Sequence, residues 1–370
     1  MSEISIAYDY QIFCRQRFGG ISRYFYELAK QVDATEAFSA KIFALLHYNE
    51  YIRDSDVGVQ GRFLERGKKS VNFYRVVNYL FSQAFLRGYE PDVVHETYFS
   101  DISLLNPKVP TVVTIHDMIH ELFLEGDQLK RSSVSRKKRI SADRAAHVIC
   151  GSENTKRDLL NRYDISPDKI SVVYYGFSSE SFAAEQGSPA TYPYLLYVGQ
   201  RGNYKNFSFF LKSYAASTSV SNSCHIVCFG GGAFSPEEEK LIKDLGIRRS
   251  VVHQLSGSDA MMARWYRHAE AFVFPSLYEG FGIPLLEAMH YKCPIICSNA
   301  SSFPEIAGEV GAFFDPTDVD DLRNRLESVL ESESLKHQMV SKGIERVRDF
   351  SWERCAQETM AVYRYVAELS

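Results

Sequence analysis

Two glutamates, Glu279 and Glu287, have seven residues between them, beginning with the run Gly280-Phe281-Gly282-Ile283-Pro284-Leu285. Just upstream, Ala271-Phe272-Val273-Phe274 reads as a short buried strand stopped at Pro275. Downstream, Leu285, Leu286, Ala288 and Met289 carry a helical period. A strand, a glycine turn and a helix start make an anion site, because unpaired N–H groups and the positive end of the helix dipole point at whatever fills the turn. A carboxylate on each side repels a bare phosphate but accepts hydroxyl groups. A phosphate with sugars at both ends, as in a nucleotide sugar, meets both demands.

A second cluster is Gly199-Gln200-Arg201-Gly202-Asn203-Tyr204-Lys205, which follows the apolar run Tyr194–Val198. Arg201 offers a fork for two oxygens and Lys205 a compact point charge, a pairing suited to a diphosphate. A reaction that expels a nucleoside diphosphate needs such charge as the bond breaks. Further toward the N-terminus, Thr114-Ile115-His116-Asp117 ends an apolar strand, and His116 there can hydrogen-bond a sugar hydroxyl or the leaving group. His95 ends the neighbouring strand Val93–His95, at the edge of the same crevice. Gly19 and Gly20 open a helical pattern and admit close approach of a ligand to backbone. Phe229-Gly230-Gly231-Gly232 lacks the spacing of a dinucleotide fingerprint and reads as a turn after a strand.

The elements that must position these residues alternate along the chain, as in parallel α/β domains. Strands are expected at Ile4–Tyr8, Lys41–Leu46, Val93–His95, Thr111–Ile115, His147–Cys150 and Ser171–Tyr174, with a helix over Ile21 to Val32. From Ser178 to Tyr192 the chain is rich in Ser, Ala, Glu, Gly and Pro without an apolar period, and reads as a linker. Alternation restarts with strands at Tyr194–Gly199, His225–Phe229, Val251–Gln254, Ala271–Phe274 and Pro294–Cys297. The expected organisation is an α/β domain over 1–180, a second over 190–351, and a C-terminal helix over 352–370.

At 370 residues two domains are the default, and 45% hydrophobic with 24% charged residues is ordinary for a globular chain. A net charge of −4 gives no electrostatic case for nucleic acid. The start lacks a charged segment followed by an apolar run, and no stretch approaches bilayer length, so the cytoplasm is the expected compartment. Seven cysteines without framework spacing suit reduced thiols. Cys224/Cys228 and Cys293/Cys297 lie in strand-like apolar runs and are read as buried rather than as metal half-sites. Two basic segments are candidate membrane contacts. Lys130–Arg144 holds seven Lys or Arg against one acid, and Gly61–Tyr89 mixes Arg62, Arg66, Lys68, Lys69 and Arg75 with aromatic and leucine side chains.

The Glu279–Glu287 motif resembles the signature of retaining glycosyltransferases of family 4, whose fold is GT-B: two Rossmann-like domains facing across a cleft. The Gly19-Gly20-Ile21 loop, His116 at its strand end and the Gly199-to-Asn206 segment match further motifs in the family's order. The resemblance implies that Glu279 faces the transferred sugar, Glu287 binds the ribose hydroxyls, and amides of Phe281 to Leu285 hold the diphosphate with Arg201 and Lys205. It implies donor contact by Gly19, Gly20 and Ser256, and His116 beside Glu279 in the catalytic pair. The expected reaction moves a hexose, mannose foremost, from a nucleoside-diphosphate sugar to a glycan or lipid-linked acceptor of a surface polysaccharide, by front-face transfer. No cofactor is expected, and no Asp-x-Asp motif stands where a GT-A enzyme would need one for a metal. Membrane contact would lie at the inner face. A GT-B sugar-nucleotide 2-epimerase and a catalytically silent sugar-nucleotide-binding module stay open as alternatives.

Overall fold

The computed structural model describes residues 3–65, 71–102, 109–124, 128–129, 132–178 and 187–369. Contacts divide the chain into two compact units, Met1–Gly176 with Phe350–Ser370, and Phe177–Asp349. In the first, β1 (Ile4–Tyr8), β2 (Phe38–His47), β3 (Gly58–Phe63), β4 (Val93–Glu96), β5 (Thr111–Ile115), β6 (His147–Cys150) and β7 (Ile170–Val172) form one parallel sheet in the order β3-β2-β1-β4-β5-β6-β7. Every residue of β4 and β6 is buried, which is why these strands read as continuous apolar runs rather than alternating ones. β3 escapes that pattern. It is an edge strand, Gly-Val-Gln-Gly-Arg-Phe, with no buried residue, so no apolar run announces it. Of the expected linker, residues 179–186 lie outside the described residues.

The second unit repeats the plan with β8 (Tyr194–Val198), β9 (His225–Phe229), β10 (Val252–Leu255), β11 (Ala271–Phe274), β12 (Ile295–Ser298) and β13 (Ala312–Phe314), all parallel in the order β10-β9-β8-β11-β12-β13. Its core is aromatic and aliphatic, with Tyr197, Phe207, Phe210, Leu211, Tyr214, Leu322 and Leu326 almost wholly enclosed. The rich aromatic content of the sequence thus goes largely into the interior, as Tyr8, Tyr74, Tyr194, Tyr266 and Tyr363 show in the same way. All seven cysteines are buried, and burial pushes their thiols up.

In each sheet the winding reverses once, between β1 and β4 and between β8 and β11. Loops leaving the carboxyl ends of such a strand pair diverge and leave a crevice for a ligand.

The helix Trp352–Glu368 packs on the helix Gly20–Asp33 and is tied into the first unit by buried polar groups. Tyr363 Oη lies 2.6 Å from His95 Nδ1 and 3.0 Å from Tyr8 Oη, and His95 Nε2 lies 2.8 Å from Thr114 Oγ1. His95, expected at the crevice edge, is therefore a core residue with both ring nitrogens occupied. Burial holds it neutral, down to about 3.

Candidate active site

At the switch point of the second unit the loops after β8 and β11 are stitched together by Leu277 N–H donating to Tyr204 O at 2.7 Å. That bond sets Lys205 beside Glu279: Nζ lies 2.5 Å from Oε1, with side chains 20% and 13% exposed. The buried Ser276 hydroxyl donates to the same carboxylate oxygen at 2.9 Å. Two serines hold the backbone here. Ser301 accepts from Glu279 N–H at 3.1 Å and donates to Glu279 O at 2.6 Å, while Ser302 donates to the carbonyls of Glu279 and Phe281 at 3.0 and 2.8 Å. The pair is thus a rigidly based, partly open cation–carboxylate contact that an incoming anion can divide.

Gly282 starts the helix Ile283–His290 from the left-handed region, φ 106°, which a side chain would strain. The side chains of Phe281 and Leu285 are buried. Pro284 carries no N–H, and Leu285 donates its own to Gly282 O at 2.9 Å. Two of the amides expected to hold a diphosphate are therefore excluded by chemistry or already spent. No described residue accepts from Gly282 or Ile283 N–H, so those two face the turn unpaired. At the other end of the motif, Glu287 Oε2 receives the Tyr266 hydroxyl at 3.0 Å. Tyr266 is fully buried, and desolvation first, then the Glu287 charge, hold its hydroxyl well above the usual phenol range as a permanent donor.

Arg201 sits otherwise than a diphosphate fork would. It is buried, and its guanidinium is spent on Glu238, at 2.9 Å from Nε to Oε1, and on the carbonyls of Gly230, Gly232 and Ala233 at 3.1, 2.8 and 2.9 Å. Ser256, expected near the nucleotide base, is exposed, and its hydroxyl oxygen accepts from Gln254 Nε2 at 3.2 Å.

In the first unit His116 leaves the end of β5 with Nδ1 2.7 Å from Tyr175 Oη, boxed edge-on by Tyr24 and Phe25. Burial drives its pKa down to about 4, so the ring is neutral at neutral pH, and Nε2 has no partner among the described residues. Gly19 and Gly20 cap and open the helix Gly20–Asp33, and neither has the left-handed backbone that demands glycine. Gln16 Oε1 accepts from Ser22 N–H at 3.0 Å, while the N–H groups of Gly20 and Ile21 meet no acceptor among the described residues. The switch point of this unit is filled by Asp9, whose carboxylate receives Gln11 N–H, Gln11 Nε2, Thr97 N–H and Thr97 Oγ1 at 3.1, 2.9, 3.0 and 2.5 Å.

The basic segments divide. In the helix Ser133–Arg144, Arg136 and Lys137 pair with Asp101, Lys138 with Glu121, Arg139 with Asp143 and Arg144 with Glu96. Lys138, 1% exposed, is a core residue. In the helix Val71–Tyr89, Phe73, Val76 and Leu80 are exposed on one face. Lys130, Arg131, Arg66, Lys68 and Lys69, and the side chains of Phe85 and Leu86, lie outside the described residues. No described helix is long and apolar enough to cross a membrane, and among the described residues no three His, Cys, Asp or Glu side chains cluster to hold a metal ion.

Sequence reading missed Tyr266, Ser276, Ser301, Ser302, Tyr175 and Glu238. Ser276 alone carried a local hint, as a hydroxyl one residue past the strand-ending Pro275. The others reach the site across 21 to 59 positions, a proximity that only the fold creates.

Residues 178–346 match the family described as Glycosyl transferases group 1, and residues 18–181 match Glycosyltransferase Family 4. The chain is 26% identical over 368 residues to O-antigen chain mannosyltransferase B of Escherichia coli, covering 93% of this chain and 96% of that protein. It is 30% identical over 291 residues to the MMP alpha-(1->4)-mannosyltransferase of Mycolicibacterium hassiacum, covering 74% and 70%. Among solved structures, a glycosyltransferase from Rickettsia africae superposes with a TM-score of 0.72 at 15% identity, covering all of both chains.

Proposed function

The chain belongs to glycosyltransferase family 4 with the GT-B fold, and we propose that it moves mannose from a nucleoside-diphosphate sugar, with retention, to a glycan or lipid-linked acceptor of a surface polysaccharide. The observation that carries this reading is the Lys205–Glu279 contact at the switch point of the second unit. A donor diphosphate draws Lys205 away and releases Glu279 to accept hydrogen bonds from the sugar hydroxyls. Lys205 and the amides of Gly282 and Ile283 then take up charge as the glycosidic bond to the diphosphate breaks. Tyr266 holds Glu287 oriented for the ribose hydroxyls. No side chain is assigned as a nucleophile. The acceptor hydroxyl attacks on the face the diphosphate leaves, and its proton passes to a diphosphate oxygen. Neutral His116, fixed by Tyr175 through Nδ1, keeps Nε2 enclosed and unpartnered among the described residues, so a hydrogen bond from it to an oxygen ligand requires the rings around it to shift. No metal enters the scheme.

Mannose rests on the two mannosyltransferase relatives. Membrane contact, if the acceptor is lipid-linked, is assigned to Phe73, Val76 and Leu80 rather than to the internally paired helix Ser133–Arg144.

The test is incubation with UDP-, GDP-, ADP- and dTDP-sugars, without acceptor and with a chelator. Mass spectrometry follows slow release of nucleoside diphosphate and free sugar. Cleavage of one mannosyl donor is expected; conversion to an isomer of equal mass would move the chain to the epimerases, and no turnover or binding would remove the reading.

A further inference from the structure

We infer that Arg201 and Glu238 are positioning residues, a buried clamp that shapes the glycine turn after β9, rather than a diphosphate ligand and a bystander. This rests on the glycosyltransferase reading and refines its donor site. The Arg201 side chain is 3% exposed, and Nε and Nη2 meet the two oxygens of Glu238 at 2.9 and 3.4 Å. Its remaining donors converge on four successive carbonyls, Gly230, Gly231, Gly232 and Ala233, at 3.1, 3.5, 2.8 and 2.9 Å. Phe234 lies 4.5 Å from the guanidinium carbon and Phe207 5.9 Å. Nε, both hydrogens of Nη2 and one of the two on Nη1 are therefore committed to these partners.

The turn is shaped around this cation. Gly230, Gly231 and Gly232 all have positive φ, at 89°, 73° and 73°, and a side chain at Gly231 would meet Arg201 Nη1 at 2.6 Å and Gly199 O at 2.7 Å. Carbonyl and N–H point in opposite directions across a planar peptide. Turning four carbonyls toward one guanidinium aims the N–H groups of Gly231, Gly232, Ala233 and Phe234 away from it. No described residue accepts from any of the four. Glu238 adds a second tie, since it closes the capping box of the helix Pro236–Asp244, receiving Ser235 N–H at 2.7 Å. Gly199, where β8 ends, touches the turn, so the clamp sets the wall of the loop that carries Lys205. Neutralising the leaving diphosphate is left to Lys205, and the turn's N–H groups are presented to donor oxygens.

The two roles give opposite signs for one substitution. If Arg201 were a diphosphate ligand, Glu238→Gln would remove its competing anion and tighten nucleoside-diphosphate binding. A clamp weakens instead. Calorimetry with UDP, GDP and ADP on the full chain should show Kd raised about tenfold in Glu238→Gln and in Arg201→Lys. The double variant should be no weaker than the worse single one, because the two act as a unit. Thermal melts confirm that each variant is folded. For any that is not, amide NMR of the wild-type chain decides, since the same titration must move the Gly231 and Gly232 resonances. Unchanged or tighter binding in Glu238→Gln, or unmoved glycine resonances, overturns the clamp alone. A wild-type chain that binds none of the three nucleotides removes the glycosyltransferase reading and the clamp with it.

Discussion

The two switch points occupy the same place in two sheets of the same winding, yet they are furnished oppositely. Between β1 and β4, Asp9 is buried and receives four hydrogen bonds from Gln11 and Thr97, three on Oδ1 and one on Oδ2. Between β8 and β11, Lys205 and Glu279 are in contact, both side chains partly exposed, and the amides of Gly282 and Ile283 nearby meet no acceptor among the described residues. A buried carboxylate bonded in this way ties loops together and has little left for a ligand. A partly solvated ion pair is worth little to stability and exchanges readily for another anion. The same topological gap is a structural knot in one unit and a chemical site in the other.

The largest effect should come from Lys205→Ala, which removes the cation assigned to the diphosphate. Turnover of the donor should fall by a factor on the order of 10²–10³, a typical cost of losing a group that stabilises developing charge, while the thermal midpoint stays put. Asp9→Ala is the mirror experiment. Unpairing four donors should cost about 3 kcal/mol in denaturant titration and leave nucleoside-diphosphate affinity unchanged. A change in affinity without a change in stability would end the contrast. Tyr266→Phe sharpens it from the site's side, since it removes one hydrogen bond to Glu287 without moving charge. The donor KM should rise roughly fivefold with kcat retained, the size expected for one hydrogen bond to a carboxylate.

Acid gives the smallest effect. Burial holds His47, His95 and His116 near 4, 3 and 4, below the ordinary 6.5. As pH falls through 6.5 the unfolded chain takes up protons that the folded one refuses, so stability declines toward pH 4. Glu96, raised to about 7 by burial, and Asp9, also raised, work in the opposite sense and offset part of it. The strongly lowered histidines lie in the first unit, whereas His225, His253 and His290 of the second are lowered by smaller amounts. Hydrogen exchange, corrected for intrinsic rates, should therefore show protection lost first in the first unit between pH 7 and 5. First loss in the second unit would contradict this.

The parallel sheets and the strand-end location of the chemistry were legible because fully buried strands leave continuous apolar runs, and Gly-rich loops with carboxylates and cations follow them directly. His95 and His116 show where legibility stops. Both end apolar strands, and their local sequences look alike. One faces a helix 268 residues downstream in sequence and is locked by Tyr363, whereas the other keeps Nε2 unpartnered among the described residues. Arg201 carries the same lesson, for its partners are carbonyls of a distant turn that no side-chain pattern records. β3, a polar edge strand, gave no period to read.

The central claim is that Glu279 and Lys205 form a contact which the donor opens. Glu279→Gln tests it most directly, with hydrolysis of the donor cleaved by the wild type and binding of its nucleoside diphosphate measured on the same preparation. Loss of hydrolysis with the nucleoside diphosphate bound as tightly as in the wild type, or more tightly because Lys205 is no longer competed for, is the predicted result. Hydrolysis at the wild-type rate, or nucleotide binding lost together with turnover, would contradict it.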